Sequence, residues 1–237
     1  MIKSIKNIKK EAGKIKRLDV ILSLLPAGCR LADIGCDHAY IPISALKTGK
    51  AAFAYASDVR EGPLSRAEKN VCAAGLSGKT VLKLANGLDG AEEYSPDTIV
   101  IAGMGGELIA EIIGRAPFVK TDKITLILQP MTCADELRGY LLSNGFEILR
   151  ERLAYEERHI YQIIVCRFTN KAQKYSEAEL EVGKDHEDKE LVPALYKKYT
   201  AKYEKIIKGK TKAGMDAQKE RAILNELREK YENFKPL

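Results

Sequence analysis

Two acids, an amide and a group of glycines carry the chemistry that this chain displays in its sequence. Asp33 and Gly35 lie in RLADIGCDHAYIPI, residues 30–43, where a short apolar run ends at a glycine and Pro42 falls in the opening turn of an expected helix. Proline gives up no hydrogen bond there, because the N–H groups of a first turn have no helical acceptor. Strand, tight turn and helix together make the corner at which open α/β sheets hold phosphates or nucleosides. A single glycine in D-I-G-C-D-H is not G-x-G-x-x-G, so a purely structural turn reads equally well. Asp58 closes a second apolar run, roughly 20 to 25 residues past the glycine turn, where nucleotide-binding folds place the acid that accepts ribose hydroxyls. The alternative is an N-cap for a helix beginning at Pro63, and one carboxylate can serve both ends. Asn86-Gly87-Leu88 falls where a nucleoside base would lie, with an amide able to bond an adenine edge, or is a plain turn. Gly103, Gly105 and Gly106 follow a fourth apolar run; they clear side chains from the place where a reaction centre would sit and let another molecule approach the backbone.

The elements that must position these residues follow from the hydrophobic pattern. Ile15, Leu18, Leu22 and Leu25 share one helical face, and Pro26-Ala27-Gly28 stops that helix. Strands are expected at Cys29–Ile34, Ala51–Ser57, Thr80–Leu84, Thr98–Ala102 and Thr125–Leu128, the second too continuously apolar to be half exposed, as parallel strands tend to be. Helices are expected at 39–48, 63–74, 107–113 and 134–143. Phe146–Leu153 and Tyr161–Phe168 come without a helix between them and should pair as an antiparallel hairpin at the sheet edge. From Ser176 onward charges alternate in sign. Leu191, Leu195, Tyr199, Tyr203 and Ile206 form one stripe and Ile223, Leu227, Tyr231 and Phe234 another, separated by a break at Gly209 to Gly214. Two antiparallel helices are expected, so the chain divides into an α/β domain over 1–170, with a basic N-terminal helix within 1–25, and a helical coiled-coil domain over 171–237.

Composition narrows the classes. Hydrophobic residues at 45% and charged residues at 30% describe a soluble globular protein. No apolar run approaches the roughly 20 residues that span a bilayer, and the N-terminus lacks the apolar core of a signal peptide. No membrane partner is expected, and the compartment should be the cytoplasm. Five scattered cysteines without C-x-x-C, and three distant histidines, argue against a disulfide framework and against a metal. The net charge of +6 is concentrated at the start, where Lys3, Lys6, Lys9, Lys10, Lys14, Lys16 and Arg17 face Glu11 alone. This stretch is a solvated basic helix or a polyanion contact.

Five motifs taken together, ADIGCDHAY (32–40), ASDVREGPL (56–64), ANGL (85–88), IVIAGMGGELI (99–109) and LILQPM (126–131), resemble the bacterial tRNA (adenine-22-N1)-methyltransferase family. The resemblance covers roughly residues 14–167, with a looser match in the tail. It implies a Rossmann-like class I methyltransferase domain with a seven-stranded, mostly parallel sheet of order 3-2-1-4-5-7-6, an antiparallel terminal hairpin and a C-terminal helical appendage. The implied cofactor is S-adenosylmethionine, without a metal, and the implied partner is tRNA, bound by a monomer. Carried over, the pattern places Asp33, Gly35 and His38 in the cofactor loop, Asp58 and Val59 at the ribose, Asn86, Gly87 and Leu88 at the adenine, and Gly103, Met104 and Gly105 beside the methyl group. His38, Tyr40 and Gln129 are the candidates for holding the target base; Tyr40 as core and Gln129 as a turn brace are the plain alternatives. Lys9, Lys10, Lys14, Arg17, Gly106 and Pro130 are the candidates for contacting tRNA. Family members commonly carry Glu at the Asp58 position, Asp at Asn86, Asn at Met131 and Glu at Gln162; the last two departures weaken a catalytic claim for those positions. A methyltransferase of small molecules or proteins, and a non-catalytic RNA-binding protein with a relict pocket, would share much of this outline.

Overall fold

The computed structural model describes residues 16–232. Lys9, Lys10 and Lys14 of the basic segment, Ile15 of the first helical stripe and Phe234 of the last one lie outside the described residues. Seven strands form one sheet: β1 (Cys29–Ile34), β2 (Ala51–Asp58), β3 (Thr80–Leu84), β4 (Thr98–Met104), β5 (Thr125–Pro130), β6 (Phe146–Glu156) and β7 (His159–Phe168), in spatial order 3-2-1-4-5-7-6. The first five pair in parallel, and β7 runs antiparallel to both β5 and β6.

Side chains alternate across a strand, so a run that is apolar at every position serves two cores. Leu31 and Val100 pack on one face with α1 (Arg17–Leu24) and α2 (Tyr40–Lys47). Ala32, Ile34, Ile99 and Ile101 pack on the other with α4 (Gly106–Gly114) and α5 (Ala134–Ser143). A smaller cluster seats α3 (Glu61–Ala73) through Ala67 and Val71 against Ala56. Three strands extend further at their carboxyl ends than their apolar runs: β2 includes Asp58, β4 continues to Met104 and β5 to Pro130. Apart from Met104, which follows Gly103, those extra residues are polar, small or imino, which is why hydrophobicity alone stops short of them, and they lie at the cleft end of the sheet.

The hairpin is also longer than its pattern. Only Glu157 and Arg158 join β6 to β7, at φ 49° and 69°. A two-residue turn needs this left-handed pair to match strand twist, and Asn-Gly is its usual signal. Without that signal the sequence reads as a wider loop.

The tail contains three helices rather than two: α6 (Glu177–Val182), α7 (Val192–Lys212) and α8 (Gln218–Glu232). Helix α7 continues through Gly209 and stops at Ala213-Gly214, so the inward stripe ends on Ile207 and not Ile206. Leu153 of β6 belongs to the same apolar cluster as α6, α7 and α8, which seats the tail on the hairpin. A fully buried Arg138 on α5 ties the units together. Its guanidinium lies 2.7 Å from the buried Glu151 carboxylate, donates to Gln162 Oε1 at 2.7 Å and reaches the Leu180 carbonyl at 2.7 Å. Gln162, whose position commonly carries Glu in the family the sequence resembles, thus works in this joint, and its Nε2 donates to the Tyr199 hydroxyl at 2.9 Å.

Candidate active site

The carboxyl ends of β1, β2 and β4 open together, and the first two each present a buried acid. Asp33 is 4% exposed and has no hydrogen-bond donor to its carboxylate among the described residues. Burial lifts its pKa to about 7; the nearby Arg17 opposes that rise and Asp58 adds to it. Asp58 is 5% exposed, and its Oδ1 accepts the Arg60 N–H at 3.0 Å. The N-cap of α3 is Arg60, not Asp58, so the capping alternative is corrected: Asp58 closes the turn before the helix and keeps Oδ2 without a donor among the described residues. Buried polar groups are nearly always satisfied, and two carboxylates short of donors at one cleft call for a ligand rich in hydroxyls or positive charge. S-adenosylmethionine, with ribose hydroxyls, an ammonium and a sulfonium, fits that need.

The loop after β1 is held rather than loose. The N–H groups of Gly35 and Cys36 both donate to the Ser57 carbonyl, at 2.8 and 2.9 Å. Asp37 and Ala39 adopt left-handed conformations, φ 43° and 58°, which cost a non-glycine residue on the order of 1 kcal/mol or more each. Asn70 of α3 bonds the His38 carbonyl at 3.0 Å. The His38 and Tyr40 rings stack at 5.3 Å, and Tyr40 is 58% exposed, so the core alternative for Tyr40 is excluded. Val59, just past Asp58, is likewise exposed and offers the cleft an apolar surface.

Around the expected base position, Asn86 is exposed and its Oδ1 accepts from Arg115 at 3.0 Å, leaving the amide nitrogen available. Leu88 is buried in the core beside the sheet, so it offers the cleft main chain and not its side chain. Gly87, at φ 65°, takes the Ser57 hydroxyl on its carbonyl and lies so close to Ile112 that a Cβ would sit 2.9 Å from Cγ2.

The glycines after β4 divide into two kinds. A Cβ on Gly103 would approach the Arg17 guanidinium at 3.6 Å, and one on Gly105 would approach Thr132 Oγ1 at 3.3 Å. Met104 lies between them, partly buried, with its methyl group against Gly35. Gly106 is different: it is buried, and a Cβ would meet the Cys133 carbonyl oxygen at 2.0 Å. Its expected role as a tRNA contact is therefore corrected to close packing of two helix starts. Pro130 is buried at the end of β5 and lines a groove described below.

Arg17 and Gln129 occupy the floor of the mouth. Gln129 is fully buried; its Oε1 accepts from Arg17 Nη1 at 2.8 Å and its Nε2 donates to the Pro130 carbonyl at 2.9 Å. Both ends of the amide are engaged, so Gln129 braces the strand end and presents Arg17, in place of the direct base contact expected of it. Arg17 in turn lies 5.7 Å from the Tyr161 ring centroid and points into the cleft, whereas Lys16 beside it is exposed. Charge counting grouped it with the lysines that precede it in the sequence; its place at the start of α1, whose inner face packs on the sheet, is what brings it to the cleft. Thr132 and Tyr161 are also at the mouth, and nothing in their local sequence singles them out.

Among the described residues, one trio of potential metal ligands comes together, Glu107, Cys133 and Glu136, with ligand atoms within 4.8 Å of one another. Glu107 raises the pKa of its neighbour Glu136 by repulsion and by hydrogen bonding.

A family pattern described as a methyltransferase domain matches residues 15–164. The tRNA (adenine(22)-N(1))-methyltransferase of Bacillus subtilis is 33% identical over 168 residues, covering 71% of each chain. Among solved structures, a Streptococcus pneumoniae protein in complex with S-adenosyl-L-methionine superposes with a TM-score of 0.78 at 34% identity, over 91% of this chain and 98% of its own. The Bacillus subtilis m1A22 tRNA methyltransferase TrmK gives 0.73 at 28% identity, over 94% and 97%. With the strand order, the paired acids and the glycine gap already in place, these likenesses settle the family: the chain belongs to the bacterial tRNA (adenine-22-N1)-methyltransferases, the TrmK family.

Proposed function

We propose that the protein transfers a methyl group from S-adenosylmethionine to N1 of an adenine in tRNA, at the position corresponding to adenine 22. The observation that carries this reading is the pair of buried, donor-poor carboxylates, Asp33 and Asp58, flanking a gap kept clear by Gly103 and Gly105. When bound, S-adenosylmethionine supplies an electrophilic methyl group on a sulfonium. The chain's own work is binding and alignment. Asp58 accepts ribose hydroxyls, Asp33 supplies negative charge toward the donor's cationic end, and the exposed Val59 gives the nucleoside an apolar surface. Adenine N1 carries an in-plane lone pair, so no side chain need remove a proton before attack; holding the base in line within a water-poor pocket is enough. The stacked His38 and Tyr40 rings and the Arg17 guanidinium form the surfaces between which that base fits. N1 lies on the Watson–Crick edge, so a paired adenine must leave its partner first.

The basic stretch holding Lys9, Lys10 and Lys14 meets the phosphate backbone, which positions tRNA without reading its sequence. The protein works in the cytoplasm, where its substrate is; none of the described helices is long and apolar enough to cross a membrane. Incubation with methyl-labelled S-adenosylmethionine and, separately, tRNA, lysate protein and a metabolite pool tests the reading. Label should enter tRNA alone, and label entering protein or metabolites with tRNA unlabelled would refute it.

A further inference from the structure

A groove runs from the β5–α5 loop, past the start of β7, to helix α7, and encloses a cavity of about 100 Å³. One end adjoins the reaction centre: Thr132 lines the groove and also faces Gly105. Tyr161 belongs to both places, since it lines the groove and carries the Arg17 guanidinium near its ring. The far wall is formed by Lys198, Tyr199 and Lys202 of α7, one helical turn apart at i and i+4.

The two lysines are not equivalent. Lys202 is neutralised by the Glu181 carboxylate at 2.8 Å, and both Glu181 oxygens are occupied by Lys202 and the Tyr203 hydroxyl. Lys198 has no acid partner among the described residues; its ammonium sits 5.6 Å from the centroid of the Tyr199 ring. Lys198 is exposed along its stem, as Lys197 is, but its ammonium lines the groove, where desolvation and the neighbouring Lys202 both push its pKa down. Asp135, the other acid at the groove, lies in the first turn of α5, where the helix dipole stabilises it. A cation that lines a groove beside a second cation, with no anion among the described residues to balance it, calls for an anion from elsewhere.

Resting on the functional reading above, we propose that this groove is a subsite for a phosphodiester of the tRNA strand that carries the target adenine, with Lys198 as its principal cation and Tyr161 as a stacking surface for an adjoining base. A base freed from its helix drags its flanking backbone with it, and this groove is the channel that leads away from Gly105. Aromatic rings set beside a cationic track are what unpaired nucleotides need.

The test uses the full chain and a tRNA transcript, with Lys198→Ala, Lys198→Glu and the control Lys197→Ala, an exposed lysine on the adjoining face of the same helix. Losing one phosphate contact should lower the slope of log affinity against log salt by about 1 and raise KM for tRNA roughly three- to tenfold, more in the glutamate variant, while cofactor affinity and Tm hold. Lys197→Ala should change neither slope nor KM. Unchanged slope and KM in both Lys198 variants would overturn the subsite, as would an equal loss in Lys197→Ala, which would mean diffuse attraction. The binding slope is measured without turnover, so a parent that binds tRNA but methylates none would refute the functional reading and still score the groove.

Discussion

Arg17 donates a 2.8 Å hydrogen bond to the fully buried side chain of Gln129, so the first helix of the chain reaches across to the end of the fifth strand at the mouth of the cleft. The contact joins the basic N-terminal segment to the floor on which the target base would lie. It also places near Asp33 a cation that opposes the rise in pKa caused by burial.

Arg17→Ala should therefore act on chemistry more than on RNA affinity. A hydrogen bond made by a charged group contributes roughly 1.5–3 kcal/mol, which corresponds to a tenfold to hundredfold fall in kcat if the bond is fully expressed in alignment. Lysine restores the charge but not the planar fork, so Arg17→Lys should recover cofactor affinity better than rate. Steady-state kinetics decide it: a variant with normal kcat and only a weaker salt dependence would return Arg17 to the group of phosphate contacts.

The Asp33 carboxyl titrates in the folded protein at about 7, against an ordinary value of 3.8. A raised carboxyl pKa means that the folded state binds the proton more tightly, so the ligand-free protein should lose stability as pH rises from about 4 to 7 and level off above. Binding of a cationic cofactor has the opposite requirement. Its affinity should climb as pH rises through 7 and should release a proton at pH 6. Calorimetry in buffers of different ionisation enthalpy measures that proton, and Asp33→Asn should abolish it while raising the Tm of the free protein at pH 8. A pH-independent affinity between 6 and 8 would contradict this account.

Two neighbouring glycines should fail in different ways. Gly105→Val puts methyl groups against Thr132 at the reaction centre, where the Cβ already lies 3.3 Å from Oγ1, and should cut tRNA methylation by more than tenfold with a small change in Tm. Gly106→Ala drives a Cβ into the Cys133 carbonyl at 2.0 Å, which no side-chain rotation relieves, and should cost several kcal/mol of stability. Thermal melts and initial rates on both variants separate the two roles; a stable, inactive Gly106→Ala would reverse the assignment.

Arg138→Ala leaves the Glu151 carboxylate buried without its cation. Breaking a buried pair from one side costs about 3–5 kcal/mol, and here it should also loosen the tail from the hairpin. Urea denaturation with limited proteolysis between residues 170 and 190 would show both effects. A melt within 1 kcal/mol of the parent would mean that the joint is held by the Leu153 cluster alone.

The parallel strands and the closing hairpin could be read from the chain, because central parallel strands such as β2 are apolar along most of their length and because no helix fits between Phe146 and Phe168; the strand order came with the family resemblance. Asp58 was legible as the acid that ends such a run, whereas Asp33, which interrupts its run before Ile34, was placed in the cofactor loop by the family resemblance. Arg17, Gly106 and Gln129 were not, for a common reason. A charge in a basic segment, a glycine in a glycine cluster and an amide at a strand end each have an exposed and a buried reading, and tertiary packing chooses between them. The ion cluster around Arg138 draws on residues 13 to 43 positions away from it, and no local pattern announces it. The tail's inward stripe was legible until Gly209, where helix packing overrides the weak propensity of one glycine.

The central claim is tested most directly by mass spectrometry of tRNA from cells with and without this gene, with the purified protein then added back to the deficient tRNA together with S-adenosylmethionine. 1-Methyladenosine at the position corresponding to adenine 22 should vanish with the gene and return on addition of the parent protein, and should return far more slowly with Arg17→Ala. Undiminished 1-methyladenosine at that position in the deficient cells, or restoration of a methyl group at any other atom or position, would contradict the account.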